Sequence, residues 1–173
     1  EKMLNMILEL SELDAKIGYK KEKLDVNKLL VKVQNIFMKI IDTDLYSFDL
    51  IMEDDDLYVK ANKERLEQVL LNYLDNAHKF SPNGGKIQLG ASEENGEVKI
   101  WVKDQGKGIL KEDLENIWQR FYKSDKAHTP DSGGSGLGLS IVKQIVEENN
   151  GRVFVESEAD KGSVFGLYLP IYK

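Results

Sequence analysis

The chain has 173 residues, enough for one domain with a small addition. Its 24 Lys and Arg against 30 Asp and Glu give a net charge of −6, which argues against a basic face for nucleic acid or an anionic membrane. Without Cys and with only two His, disulfides and thiolate metal sites are excluded, and a histidine-rich zinc centre is disfavoured. No apolar run approaches the roughly 18 residues of a membrane span. Because the chain starts at Glu1 without Met, we expect it to be a piece of a longer protein.

Residues 1–19 predict an amphipathic helix. Its apolar residues recur at spacings of three and four, with Leu4 and Ile7 widening the seam formed by Met3, Met6, Leu10, Leu13 and Ile17. The helix either packs on its own domain or is half of a helical hairpin or dimer, and we favour the second interpretation. Lys20–Lys23 is predicted to be a solvated basic linker.

From Leu24 onwards the pattern alternates between helices and strands. The predicted elements are a helix capped by Asn27 and reaching Ile41, strands Tyr46–Met52 and Leu57–Ala61, a helix Lys63–Phe80 capped by Asn62, strands Ile87–Ser92 and Val98–Asp104, a short helix Lys111–Trp118, a helix Leu137–Asn150, and strands Arg152–Glu156 and Ser163–Leu169. The segment Phe121–Ser135 lacks apolar periodicity and is predicted to be a long loop, a common form of active-site lid.

The predicted helix Lys63–Phe80 has a second, polar face. Asn72, Asn76 and Lys79 are spaced by four and three residues and therefore lie in line. A carboxamide oxygen suits Mg²⁺, and Lys can reach a phosphate. An ordinary solvated face remains the alternative.

Asp104 ends a strand in which Val98, Ile100 and Val102 share one side, and its position puts it on that apolar side. A carboxylate facing inward is costly unless it accepts hydrogen bonds, and the amino group of adenine is one suitable donor. Gly106 and Gly108 would let the backbone approach a ring. A turn with a capping residue is the alternative.

A glycine-rich stretch, Gly133–Leu139, opens the helix that precedes Gly151. Glycines leading into a helix N-terminus present amide N–H groups and the positive end of the helix dipole to an anion. The stretch has neither the Walker pattern nor the dinucleotide-binding pattern. Phosphate binding is favoured over a flexible hinge.

Taken in order, these features resemble the ATP-binding domain of the GHKL superfamily, specifically that of bacterial sensor histidine kinases. Leu71–Phe80 is similar to the N box, Asp104–Gly108 to the G1 box, Ile117–Lys123 to the F box and Gly134–Leu139 to the G2 box. The resemblance implies an α+β fold, a two-layer sandwich with helices on one face of a mixed Bergerat-type sheet. It covers residues 24–173, with a lid at about 109–135, and makes 1–19 the second helix of the dimerisation and phosphotransfer hairpin and 20–23 a linker.

The resemblance also implies roles for individual residues. Asn76 would coordinate Mg²⁺, Asn72 would support the phosphates or the metal's water shell, and Lys79 would contact phosphate. At the adenine, Asp104 would accept from the amino group and Phe80 would pack beside the ring. The other implied ATP-binding residues are Gly106, Gly108, Ile109, Tyr122, Lys123, Gly134, Ser135, Gly136, Leu137, Gly138 and Leu139.

Three departures from the family pattern stand out. Trp118 replaces a usual Phe but is still an apolar anchor, and Lys123 replaces a frequent Arg, giving a point charge instead of a bidentate fork, so Arg120 would share the γ-phosphate contact. The family's phospho-acceptor is a His followed by an acidic residue and, five residues after the His, Pro. Neither His78 nor His128 fits that pattern, so His78 is expected to be packed or at the pocket edge and His128 to lie in the lid.

The resemblance therefore implies an Mg·ATP-dependent protein-histidine kinase domain whose acceptor histidine lies outside this chain. Implied partners are the phosphotransfer hairpin of the same, homodimeric kinase and a cognate response regulator, with no nucleic acid and no membrane contact by this fragment. The fragment would be cytoplasmic and its parent anchored in the bacterial membrane. Two alternatives are a GHKL ATPase that drives conformational change and a non-catalytic nucleotide-binding module.

Overall fold

A computed structural model describes residues 1–15, 18–124 and 136–173. The elements follow the chain as α1 (Lys2–Asp14), β1 (Glu22–Asp25), α2 (Val26–Phe37), β2 (Ser47–Ile51), β3 (Tyr58–Ala61), α3 (Lys63–Phe80), β4 (Lys86–Glu94), β5 (Glu97–Asp104), α4 (Gly138–Glu148), β6 (Arg152–Glu158) and β7 (Gly162–Pro170). None of the helices in these ranges is long and apolar enough to cross a bilayer.

The main sheet has five strands in the order β2-β4-β5-β7-β6. β2 pairs with β4 in parallel, and the remaining neighbours are antiparallel, so the sheet is mixed. Helices α2, α3 and α4 pack on this sheet, while β1 and β3 form a separate antiparallel ribbon. The predicted α+β architecture is confirmed.

Helix α3 crosses the core and has the predicted bounds. The side chain of Asn62 accepts a hydrogen bond from the Arg65 amide at 3.0 Å, which caps the helix as predicted. Its apolar stripe is buried up to Ala77, and the Tyr73 hydroxyl donates to the carbonyl oxygen of Gly166 at 3.0 Å. Burying that stripe turns the polar face of α3 towards α4.

Helix α1 is docked on the domain mainly at its C-terminal half, and Met6 in its first turns also packs against the core. Leu10 and Leu13 are buried, whereas the first two turns expose the apolar side chains of Met3, Leu4, Ile7 and Leu8. Glu9 forms an ion pair with Arg65 of α3 at 2.5 Å. The exposed turns accord with a missing helical partner, but membership of a hairpin stays a prediction, and Ile17 lies outside the described residues.

Three local predictions are wrong. Asp25, not Asn27, caps α2, because the helix begins at the buried Val26, and the Asn27 amide donates instead to the Asp55 carbonyl. The predicted linker Lys20–Lys23 runs into β1, since Glu22 and Lys23 pair with β3.

The predicted helix Lys111–Trp118 is a series of turns. The amide of Asn116 donates to the carbonyl of Asp113, three residues back, as in a turn. Ile117 and Trp118 both pack against the core, although a helix would turn adjacent side chains about 100° apart.

Candidate active site

A cavity of about 710 Å³ lies between α3, the end of β5, the start of α4 and the first turns of α1. Its volume is within the range of small-molecule sites, roughly 300–1,000 Å³. Twelve residues selected from the sequence line it, namely Asn72, Asn76, Lys79, Phe80, Asp104, Gly108, Ile109, Tyr122, Lys123, Gly136, Gly138 and Leu139. The structure therefore brings the N, G1, F and G2 boxes to one site.

Asp104 forms one end of the cavity. Its side chain is 6% exposed, as the alternation along β5 predicts, and its carboxylate accepts from the Gly106 amide at 2.8 Å. Burial raises the pKa of Asp104, and hydrogen bonds from the amides of Gly106 and Ser163 partly offset that rise. This carboxylate is fixed, poorly hydrated and able to accept from a ligand amino group.

The glycines of the G1 box are required by close packing. A Cβ on Gly106 would lie 2.6 Å from the carbonyl oxygen of Phe80, so the turn can pass behind α3 only without a side chain. Gly108 has a φ of +67° and faces the Glu158 carbonyl. Gly106 thus shapes the site without lining the cavity.

Phe80 and Lys107 form the outer edge of the same end. Phe80 is 39% exposed although it ends the apolar stripe of α3, and it lines the cavity. The Lys107 ammonium lies 4.9 Å from the centre of its ring, in cation–π geometry. The sequence does not mark Lys107 as a site residue, because the G1 pattern specifies no residue type between its two glycines.

Asn72 and Gly138 meet at the opposite end. The Oδ1 atom of Asn72 is buried and has no hydrogen-bond partner among the described residues. A Cβ on Gly138 would lie 2.8 Å from the Asn72 amide nitrogen, so a side chain at this position would displace the end of Asn72. Buried polar atoms without partners are rare in folded proteins, so this oxygen indicates a ligand, water or ion.

The start of α4 suits an anion. The residue at the N-cap is Leu137, which is buried and has no side-chain acceptor for the first amides of the helix. Gly136, Gly138 and Leu139 bring this end to the cavity wall. Helix N-termini bind phosphate through free amides and the helix dipole. Leu137 itself does not line the cavity.

The charges around the cavity are mixed, in a chain that is acidic overall. Four lysines line it, Lys2, Lys79, Lys107 and Lys123, together with Asp75, Asp104 and Asp160. The Asn72 oxygen has no partner in the described part of the chain, and a second carboxamide, Asn76, lies one turn away. Together with the nearby lysines, these groups fit a magnesium ion bound to phosphates.

Arg120 is not at the cavity. Its guanidinium pairs with Asp14 of α1 at 2.6 Å, and this contact lowers the pKa of Asp14 and raises that of Arg120. Asp14 lies 106 residues away from Arg120 along the chain, so no local sequence pattern predicts this contact.

The sequence also points to two residues of the glycine-rich stretch, and it contains two histidines. Gly134, Ser135 and His128 lie outside the described residues. His78 packs between Tyr46 and Phe37, with ring centroids 4.9 Å and 6.3 Å away, and it does not line the cavity. His78 is therefore a packed residue.

Residues 61–173 match the family described as histidine kinase-, DNA gyrase B- and HSP90-like ATPases. The chain is 34% identical over 172 residues to sensor histidine kinase WalK of Bacillus subtilis (98% of this chain, 28% of WalK). It is 38% identical over 126 residues to the signal transduction histidine-protein kinase ArlS of Staphylococcus epidermidis (73% of this chain, 28% of ArlS). The chain thus spans a little over a quarter of the length of these relatives.

Solved structures agree with these relatives. The catalytic domain of histidine kinase ThkA superposes with a TM-score of 0.75 at 28% identity, covering 88% of this chain and 96% of that one. Full-length ShkA, solved in complex with AMPPNP, superposes with a TM-score of 0.87 at 27% identity, covering 99% of this chain and 36% of ShkA. The chain belongs to the histidine kinase-, DNA gyrase B- and HSP90-like ATPase family, as a catalytic ATPase domain of the sensor histidine kinase type.

Proposed function

We propose that the chain binds Mg·ATP in this cavity and transfers the γ-phosphoryl group to a histidine of the parent kinase that lies outside residues 1–173. The observation that carries the proposal is the buried Oδ1 of Asn72, which lies beside the start of α4 and has no hydrogen-bond partner within residues 1–15, 18–124 and 136–173. It lies in the same cavity as the buried carboxylate of Asp104. One end thus offers ligands for a metal and an anion, and the other an acceptor for an amino group.

At the nucleobase end, Asp104 accepts from the amino group of adenine, while Phe80 and Ile109 pack against the ring. Gly106 and Gly108 let the turn that follows Asp104 pass close to the backbone of Phe80 and Glu158, where side chains would collide. Guanine presents a carbonyl where adenine has its amino group. Two acceptors would then face each other, and such a site rejects the analogue strongly.

At the phosphate end, Asn76 coordinates the metal and Asn72 supports the phosphates or the metal's water shell. Mg²⁺, when bound, neutralises phosphate charge. Lys79 and Lys123 contact phosphate, with Tyr122 beside the ribose, and the amides of 134–139 cradle the phosphate oxygens. Arg120 has no role in this proposal, because its guanidinium pairs with Asp14.

The transfer itself is one of positioning and charge stabilisation. A nitrogen of the acceptor histidine attacks the γ-phosphorus, the bond to the bridging oxygen breaks, and ADP leaves. Residues 1–19 serve as the second helix of the phosphotransfer hairpin in a homodimer, and Lys20 and Lys21 connect it to β1 of the ATP-binding domain. A cognate response regulator receives the phosphoryl group; ThkA has been solved in complex with response regulator protein TrrA. In this proposal the fragment lies in the cytoplasm, and the parent kinase to which it belongs is anchored in the cell membrane.

The test uses the chain with a separately produced hairpin that carries the acceptor histidine of the parent kinase. Mg·ATP should raise the melting temperature of the chain and yield acid-labile phosphate on the hairpin. Mg·GTP and ATP with excess chelator should raise the melting temperature less. The proposal is wrong if ATP binds and is hydrolysed without labelling the hairpin, or binds without any turnover. Those outcomes indicate a conformational ATPase and a non-catalytic binding module, respectively.

A further inference from the structure

Asp113 is a buried acidic residue that the ATP-binding roles above do not use. It is 7% exposed, and each of its carboxylate oxygens accepts a side-chain hydrogen bond. The Tyr122 hydroxyl donates to Oδ1, and the Ser124 hydroxyl donates to Oδ2 at 2.6 Å. One carboxylate thus holds two side chains of the same short segment.

The backbone of Asp113 is itself held firmly. Its amide donates to the Leu110 carbonyl at 2.9 Å, and its carbonyl accepts from the amides of Asn116 and Ile117 at 2.9 Å and 3.1 Å. Ile117 packs against the core, and the neighbouring Trp118 lies edge-on to a core ring. The carboxylate is therefore a fixed point, and the segment 122–124 is tied to it.

This tie decides where Lys123 lies. In an extended segment, residues i and i+2 share one side and residue i+1 takes the other. Tyr122 and Ser124 both reach Asp113, so Lys123 is turned the opposite way. Exposure alternates accordingly, with Tyr122 and Ser124 part-buried and Lys123 exposed. All three residues line the cavity, so the tie to Asp113 holds Lys123 at the cavity wall.

A second contact supports the same placement. The Phe121 amide donates to the carbonyl of Gly136 at 2.9 Å, which joins this segment to the start of α4. A Cβ on Gly136 would lie 2.7 Å from the Phe121 backbone, so the approach is close. Asp113 and Gly136 thus fix the two sides of the segment that carries Lys123.

We infer that Asp113 is a positioning residue that acts through Lys123, orienting its ammonium towards the γ-phosphate of ATP. The inference rests on the proposed function, because the phosphate belongs to the ATP proposed above. Asp113 makes no contact with the nucleotide in this scheme. Its loss should weaken binding of ATP but not of ADP, which lacks the γ-phosphate.

The test is a double-mutant cycle on the whole chain, with Kd values for Mg·ATP and Mg·ADP from titration calorimetry. Asp113→Ala should raise the Kd for ATP roughly tenfold, as expected for loss of one charge-assisted contact, and that for ADP less than about threefold. In a Lys123→Met background, Asp113→Ala should change the Kd for ATP less than about twofold, because the contact it orients is already absent.

Two controls separate positioning from a loss of folding. Asp25→Ala removes another hydrogen-bonded carboxylate, the cap of α2, and should lower the melting temperature without changing the Kd for ATP. If Asp113→Ala does not fold, Ser124→Ala removes one of the two hydrogen bonds of the same tie without touching Asp113 or Tyr122, and it should show a smaller ATP-selective loss.

Three results would overturn the inference. The first is an unchanged Kd for ATP in the variant that breaks the tie. The second is an equal loss of affinity for ATP and ADP. The third is a loss of ATP affinity on Asp113→Ala that is as large in the Lys123→Met background as in the unsubstituted chain. If the unsubstituted chain fails to bind Mg·ATP, the proposed function fails first and this inference falls with it.

Discussion

Gly138→Ala separates the stability of the fold from the function of the site. The new methyl group would lie 2.8 Å from the amide nitrogen of Asn72, about 0.6 Å inside an ordinary contact of 3.4 Å. Since the obstructing atom ends a flexible side chain, Asn72 moves aside and the fold tolerates the change. Replacing Gly by Ala in a helix stabilises it by up to about 1 kcal/mol, and less at the first position of α4.

The same displacement is costly for the ligand. Asn72 carries the buried oxygen assigned above to the phosphates or the metal's water shell, and losing a hydrogen bond at a charged group costs roughly 1.5–3 kcal/mol. The Kd for Mg·ATP should therefore rise by roughly 10- to 150-fold. Unfolding by urea should show equal or slightly higher stability.

The assay is calorimetric titration with Mg·ATP beside urea unfolding of the same samples. Gly96→Ala is the matched control with the opposite profile. Gly96 has a φ of +80° and nothing within 4 Å of its Cβ position, so Ala there is strained, costs about 1 kcal/mol and leaves the site alone. If Gly138→Ala bound Mg·ATP as well as the unsubstituted chain, the role assigned to the Asn72 oxygen would be refuted.

Three further substitutions test the rest of the scheme. Burial raises the pKa of Asp104 above its ordinary 3.8, so its contribution favours folding at low pH and is lost as the pH rises through the folded-state value. Asp104→Asn should abolish Mg·ATP binding, because it alters the proposed acceptor for the adenine amino group. The same change removes a buried charge, so the melting temperature at pH 7 should stay equal or rise, and a lower one would contradict this. Tyr73→Phe leaves the Gly166 carbonyl without its donor, so urea unfolding should show a loss of about 1 kcal/mol with the Kd for ATP unchanged. Glu9→Ala leaves the part-buried Arg65 without a main ion-pair partner and should cost about 1–3 kcal/mol in the same assay, and no loss would show that the pair does not hold α1.

Long periodic elements were predictable because their signals are local. The cap at Asn62 and the apolar stripe of α3 lie in one stretch of sequence, and the prediction of this helix follows from them. The burial of Asp104 followed from strand parity alone, because β5 has one apolar side along its whole length.

The roles of Asp113 and Arg120 depend on tertiary contacts that the sequence does not show. Asp113 reads as one more acidic residue in a short amphipathic run, and only its hydrogen bonds to Tyr122 and Ser124 distinguish it. Arg120 lies in the F box and is predicted from the sequence to contact phosphate, yet its guanidinium pairs with Asp14, which is far away in sequence. An ion pair between distant residues has no local pattern, so no periodicity can reveal it.

Helix α1 makes polar contacts with α3, α4 and the F box, three of the parts that carry the proposed site. Glu9 pairs with Arg65 on α3, two turns before Asn72, and Asp14 accepts from Gln144 on α4 as well as from Arg120 in the F box. The first turns of the same helix supply Lys2, Met3 and Met6 to the cavity wall. A rotation of α1 must break these polar contacts or carry α3, α4 and the F box with it. Because Lys2, Met3 and Met6 form part of the cavity wall, a movement of this helix that shifts them changes the shape of the cavity.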